Sequence, residues 1–150
     1  MTLKIAIIGA GMAGITAART LVQAGHRVHI FEKSRSAAGR MSTRETVFGT
    51  FDHGTQYFTV RDPRFSLALQ TVAGTKEICR PWSASAVRVL DPMGQVFEAA
   101  KQNHDAHFVA SPGMNALVRH WAQPLGKALH LLNQVQRMER NAKGQWTMHS

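Results

Sequence analysis

Residues 4–33 read KIAIIGAGMAGITAARTLVQAGHRVHIFEK, and this stretch decides the fold. An apolar run over 5–8 halts at three glycines spaced G-x-G-x-x-G, namely Gly9, Gly11 and Gly14. Apolar residues at helical spacing follow, Ile15, Ala18, Leu21 and Val22, and a second alternating stretch over 27–32 puts Val28, Ile30 and Glu32 on one face. The pattern predicts strand, tight turn, helix and strand ending in an acid, the arrangement that binds dinucleotides in α/β proteins. Gly9 lets the chain turn out of the strand, Gly11 removes a Cβ where a pyrophosphate would meet backbone N–H groups, and Gly14 lets helix and strand pack closely. The helix start aims unpaired N–H groups and a positive dipole end at that pyrophosphate. Glu32 stands where it can accept hydrogen bonds from both hydroxyls of the adenosine ribose, and its charge disfavours a 2′-phosphate. The competing reading of Lys4 and the apolar segment as a secretory leader is set aside, because three glycines interrupt that segment.

The totals agree with a folded chain. A length of 150 residues is one domain's worth, and 44% apolar with 18% charged residues is a globular composition. No apolar run is long enough to span a bilayer, so no membrane partner is expected. The single cysteine, Cys79, excludes an internal disulfide and any CxxC site, and it points to a reducing compartment, the cytoplasm. The net charge of +9 raises a nucleic-acid partner as one reading. Against it, the Lys and Arg residues form no block of five or more and no aromatics interleave with them, so a solvated basic face and no nucleic acid are expected. Arg35, Arg40, Arg44, Arg61 and Arg64 cluster in sequence beside the proposed phosphate site.

After Glu32 comes SRSAAGRMS over 34–42, a loop in which Gly39 frees the backbone and Arg40 offers five donors to phosphate oxygens. The run VFGTFDHGTQYFTVRDPRF over 47–65 follows. In it Gly49 and Gly54 mark close backbone approaches, Gln56, Tyr57 and Phe58 suit a flat ring system, and Asp52 reads as a structural acid at a turn.

With these residues in place the sequence resembles the flavoproteins with two dinucleotide-binding domains, which include the amine oxidases, and among them the renalases and their bacterial relatives. The matching motifs are GAGMAG at 9–14, FEK at 31–33, AGRMST at 38–43, DHGTQYFTVRDPRF at 52–65 and SPGMNAL at 111–117, followed by Val135 and by GQW at 144–146. The match is thin over 67–107. The resemblance implies bound FAD, held at the pyrophosphate by Gly9, Gly11, Met12, Ala13 and Gly14, at the ribose by Glu32 with Lys33 beside it, and near the flavin phosphate by Gly39, Arg40 and Met41. It places Gln56 and Tyr57 at the isoalloxazine and the Val135 backbone at the adenine edge. Ala38-Gly39 stands where the family often has Gly-Gly, and Thr55 where it often has Ala, so a slightly altered loop is expected.

Downstream, Phe65, Leu67, Leu69 and Val72 predict a short helix ending near Gly74, and Val87, Val89 and Val96 predict a hairpin turning at 91–94. His104 and His107, with Asp105 between them, have no further ligand at fitting spacing, so no metal is expected. His26, His29, His53, His120 and His130 are isolated and read as packing or surface groups. Residues 111–123 predict a helix with Ala116, Leu117, His120 and Trp121 on one side, 129–132 a delayed third parallel strand, and 135–149 a strand, turn and strand. The expected fold is therefore α/β and Rossmann-like, with a parallel sheet, helices and an inserted hairpin region. Residues 1–65 form the FAD-binding βαβ core and flavin loop, 66–108 the start of a substrate-side insertion, and 109–150 a return to the FAD-binding domain.

The resemblance implies a protein roughly twice this length, whose remainder completes the flavin pocket, and an FAD-dependent oxidoreductase. A substrate hydride passes to the flavin and oxygen reoxidises it. The renalase branch implies a dihydronicotinamide dinucleotide as substrate, and the amine oxidase branch an amine. No catalytic residue is assigned in this chain. The alternative is a noncatalytic nucleotide-binding fragment of such a flavoprotein.

Overall fold

The computed structural model describes residues 1–72, 74–82, 89–97 and 106–150. Strand β1 (Lys4–Ile8), helix α1 (Met12–Gln23) and strand β2 (Arg27–Phe31) form the expected unit. β1 and β2 run parallel, with Ile5 opposite Val28 and Ile7 opposite Ile30. Alternating β-branched residues put Val28 and Ile30 on the face where α1 lays Ile15 and Ala18, and all four are buried. Val22, expected on the same face, is exposed instead. It lies in the last turn, where the chain is leaving the sheet. There the N–H of Gly25 (φ +81°) bonds the Val22 carbonyl at 3.0 Å and that of His26 bonds Leu21 at 3.0 Å, a left-handed glycine stop that releases the chain into β2.

The chain then leaves the sheet for almost a hundred residues. β3 (Thr43–Thr46) and β4 (Gly49–Asp52) make a hairpin not foreseen from the pattern. β5 (Phe58–Thr59), α2 (Pro63–Thr71), α3 (Thr75–Ile78) and β6 (Cys79–Pro81) follow, then the short hairpin of β7 (Val89–Leu90) and β8 (Val96–Phe97). The carboxylate of Asp91 accepts the Met93 and Gln95 N–H groups at 2.9 and 2.7 Å and so fixes the predicted turn. Val87 of that prediction lies outside the described residues. β9 (His107–Ala110) pairs antiparallel with both β5 and β6. Asp62 caps α2 and Pro63 opens it, but the helix stops at Thr71, and Gly74 (φ +77°) starts α3 rather than ending α2.

Helix α4 (Asn115–Ala122) and strand β10 (Leu129–His130) bring the chain back. β10 pairs parallel with β2, giving the order β1-β2-β10, so the delayed third strand is present. It ends two residues early. Leu132 has φ +54°, its N–H reaches the Ser34 carbonyl at 3.1 Å, and Asn133 N–H reaches the Glu32 carbonyl at 2.9 Å, so the chain bends around the end of β2. On α4 the buried residues are Leu117, Val118, Trp121 and Ala122. That face is displaced from the predicted one because α4 packs against both α1 and α3. Trp121 anchors this contact: its indole N–H bonds Thr75 Oγ1 at 2.9 Å, and Arg19 of α1 lies over its ring while donating to its carbonyl at 3.0 Å. β11 (Arg137–Arg140) and β12 (Trp146–His149) form a final hairpin.

Candidate dinucleotide site

Gly9 (φ +96°) turns the chain out of β1, and its N–H bonds the Phe31 carbonyl at 2.8 Å. A Cβ on Gly14 would lie 2.0 Å from the Gly9 carbonyl oxygen, so only glycine lets α1 start this close to the turn. Gly11 is the N-cap, no side chain caps the helix, and its first turn holds no acid. The helix start is thus a set of N–H donors with a positive dipole end, fit for an anion.

Glu32 fastens this turn. It is only 7% exposed, its Oε2 accepts the Ala10 N–H and its Oε1 the Ser34 N–H, each at 2.8 Å. Sequence reasoning reserved this carboxylate for a ribose, and the fastening role was missed. Each oxygen retains a second acceptor position, so the fastening role leaves room for a further hydrogen bond. Burial pushes the carboxyl's pKa up, but the Ala10 and Ser34 hydrogen bonds outweigh it and hold the pKa below its ordinary 4.5. The folded value lies under the unfolded one, so the stabilisation is complete above pH 4.5 and is lost as pH falls through the lower folded value. Glu32→Gln is therefore expected to lower stability at pH 7 by about 2 kcal/mol. In urea melts the gap to the unaltered chain should close as the pH drops below 4.5.

A second loop stacks on the glycine turn and a third on that loop. Gly11 bridges to Ala38, and a Cβ on Gly39 (φ +57°) would sit 2.9 Å from the Gly11 Cα. Thr55 N–H then bonds the Arg40 carbonyl at 2.8 Å, and a Cβ on Gly54 would lie 2.1 Å from that oxygen. The structure so links 9–14 to 38–41, and 38–41 to Gly54 and Thr55. Arg40 and Gln56 are exposed, while the Met41 side chain is buried in the core and seats its loop. Tyr57 is 39% exposed and stacks on Trp82 at 5.6 Å, with His107 at 4.3 Å. Asp52 is the structural acid expected: its Oδ1 accepts the Thr43 hydroxyl at 2.6 Å and the Met114 N–H at 2.9 Å, tying the β3–β4 hairpin to the start of α4. Of the basic cluster, Arg64 is engaged with Asp62 at 2.7 Å, and its hydrogen bonds lower the Asp62 pKa to about 2.

Beside the turn a groove of about 240 Å³ opens, lined among others by Gly9, Phe31, Glu32, Lys33, Asn133 and Val135. Four of these six were predicted site residues. Asn133 was not, and its Oδ1 is buried without a hydrogen-bond partner. No spacing rule marks an asparagine two residues before Val135. A smaller cavity of about 140 Å³ adjoins Cys79, whose thiol is pushed up to about 11 by burial and is no nucleophile at neutral pH. Among the described residues no His, Cys, Asp or Glu group of three or more stands ready for a metal, and His104 and Asp105 lie outside them. No described helix is long and apolar enough to cross a membrane.

Residues 7–70 match the family model of the NAD(P)-binding Rossmann-like domain. Over 52 residues the chain is 46% identical to the 4,4'-diapophytoene desaturase (4,4'-diaponeurosporene-forming) of Staphylococcus aureus, a match covering 35% of this chain and 10% of the desaturase. A structure provisionally assigned as an FAD-containing monooxygenase of Photorhabdus luminescens superposes with a TM-score of 0.59 at 15% identity, over 99% of this chain and 35% of that one. CtdE, solved in complex with FAD and a substrate, gives 0.57 at 19% identity, over 94% of this chain and 32% of that one. The chain spans about a third of the length of these two structures. Its fold is the Rossmann-like α/β fold that these FAD-bearing structures share.

Proposed function

We propose that this chain binds FAD and serves an FAD-dependent oxidoreductase. The observation that carries the reading is a chain of contacts: the Glu32-fastened glycine turn beside the groove that runs past Glu32 to Val135, the 38–41 loop packed on that turn, and the 54–55 backbone packed on Arg40 of that loop. The uncapped helix start fits a pyrophosphate, and the acceptor positions left on Glu32 fit a ribose. Gly9, Gly11, Met12, Ala13 and Gly14 would hold the pyrophosphate, Glu32 and Lys33 border the ribose, and the Val135 backbone meets the adenine. Gly39 and Arg40 would face the flavin-side phosphate, with Met41 anchoring them. Gln56 and Tyr57 would flank the ring. Bound FAD supplies a two-electron acceptor.

The chain's part is to hold and orient. Positioning and exclusion of water serve transfer to a flavin, and no acid or base in this chain is assigned a proton. We place residues 1–65 and 109–150 on the cofactor side and 66–108 toward the substrate, in a cytoplasmic protein. AGRMST with DHGTQYFTVRDPRF supports the renalase-like branch, with a dihydronicotinamide dinucleotide as substrate and oxygen as final acceptor, and an amine as the competing substrate class.

The test is anaerobic mixing of the FAD-loaded chain with each class. Bleaching of the yellow absorbance by a dihydronicotinamide isomer is the expected result. Bleaching by an amine alone would move the assignment to the amine branch, and loaded protein that no donor bleaches would favour the noncatalytic reading.

A further inference from the structure

Helix α2 sets Ser66, Leu69 and Gln70 on one face, three and four residues apart, and that face lines the cavity of about 140 Å³ beside Cys79. Val60, next to β5, and Phe108 of β9 add apolar wall, and Lys76 of α3 completes the lining. Leu69 is buried whereas Gln70 and Lys76 are exposed, so the cavity has an apolar floor and a polar mouth. It shares no lining residue with the groove beside Glu32, and its chemistry stands apart from the cofactor reading.

Size, charge and hydrogen bonding together select an occupant. An apolar cavity of this volume holds about one six-membered ring. Among the described residues that line it, Lys76 carries the only charge, and no aspartate or glutamate is present to neutralise it. Burial pushes the Cys79 thiol up to about 11, so the sulfur adds no negative charge at neutral pH. Ser66 Oγ accepts from Gln70 Nε2 at 3.3 Å, which leaves the Ser66 hydroxyl hydrogen and the second Gln70 amide hydrogen as donors beside the ammonium. Three donors around an uncompensated cation suit an acceptor-only anionic head. We propose that this cavity binds a small monocarboxylate with an apolar body about the size of one ring, its carboxylate at Lys76 and its apolar part against Leu69 and Phe108.

Benzoate is the probe, and benzyl alcohol and acetate supply its ring and its carboxylate separately. Cys79 is the only cysteine of the chain, so its alkylation by N-ethylmaleimide in mildly alkaline buffer, followed by mass spectrometry, reports from the cavity wall. Saturating benzoate is expected to slow that reaction at least about fivefold in the full, unaltered chain. In calorimetric titration benzoate is expected to bind at least about tenfold more tightly than benzyl alcohol or acetate. Lys76→Gln, at an exposed position, is expected to weaken benzoate about tenfold and to leave benzyl alcohol unchanged. Absence of benzoate binding at millimolar concentration overturns the proposal, and so does binding that leaves Cys79 unshielded. Equal affinity for benzoate and either of the other two compounds, or a Lys76→Gln chain that keeps its benzoate affinity, overturns it as well.

Discussion

Replacing Gly14 with alanine is expected to lower the stability of the chain by about 3 kcal/mol and to abolish nucleotide retention. The added methyl would stand 2.0 Å from the Gly9 carbonyl oxygen and 3.2 Å from its carbon. Both are backbone atoms of the turn, so no rotamer change relieves the overlap. The helix must lift away from β1, and two things fail together. Ile15, fully buried one residue on, loses its seat on the sheet. The first-turn N–H groups also leave the line that Gly9 and Glu32 set for them. Urea melts read the first effect and binding of ADP the second. A variant as stable as the unaltered chain would contradict the packing described here.

Gly54→Ala is expected to have an effect as large in binding but confined to one half of the cofactor. A methyl on Gly54 would lie 2.1 Å from the Arg40 carbonyl oxygen, forcing apart the two loops that Thr55 N–H holds to the same oxygen at 2.8 Å. The glycine turn and the Glu32 groove are not part of that contact. FAD affinity is therefore expected to fall about a hundredfold, about 2.8 kcal/mol of binding free energy, while ADP binds as before. Equilibrium dialysis with the two ligands measures both. Loss of ADP binding in parallel would show that the loops act only as a support for the glycine turn.

The βαβ unit was legible because each residue type there has one local job. Glycine spacing, apolar periodicity and the acid at the end of β2 all answer to neighbours within the 4–33 stretch, and the structure returns them with Gly9 at φ +96° and Glu32 against the turn. The third strand was legible as an apolar segment, and its partner followed from fold topology. Its early end was not, because Leu132 and Asn133 are held by Ser34 and Glu32 about a hundred residues earlier. The same reason hid the α4 face: Val118 and Ala122 are buried by helices brought there from elsewhere in the chain. The β3–β4 hairpin was missed because its tip carries Val47 and Phe48, which are 94% and 91% exposed, instead of polar turn residues. In the candidate site, sequence motifs supplied every residue that a local spacing rule could mark. Asn133 escaped, since only burial of its oxygen in the folded chain distinguishes it.

The most direct measurement is the visible absorption spectrum of the purified chain after incubation with FAD, and separately with FMN, followed by removal of unbound ligand. FMN carries the same ring system without the adenosine half, and the proposed reading puts that half in the groove from Glu32 to Val135. A yellow spectrum retained with FAD and lost with FMN is the predicted result. A colourless chain after both incubations, or equal retention of the two, would contradict an adenosine-anchored flavin site.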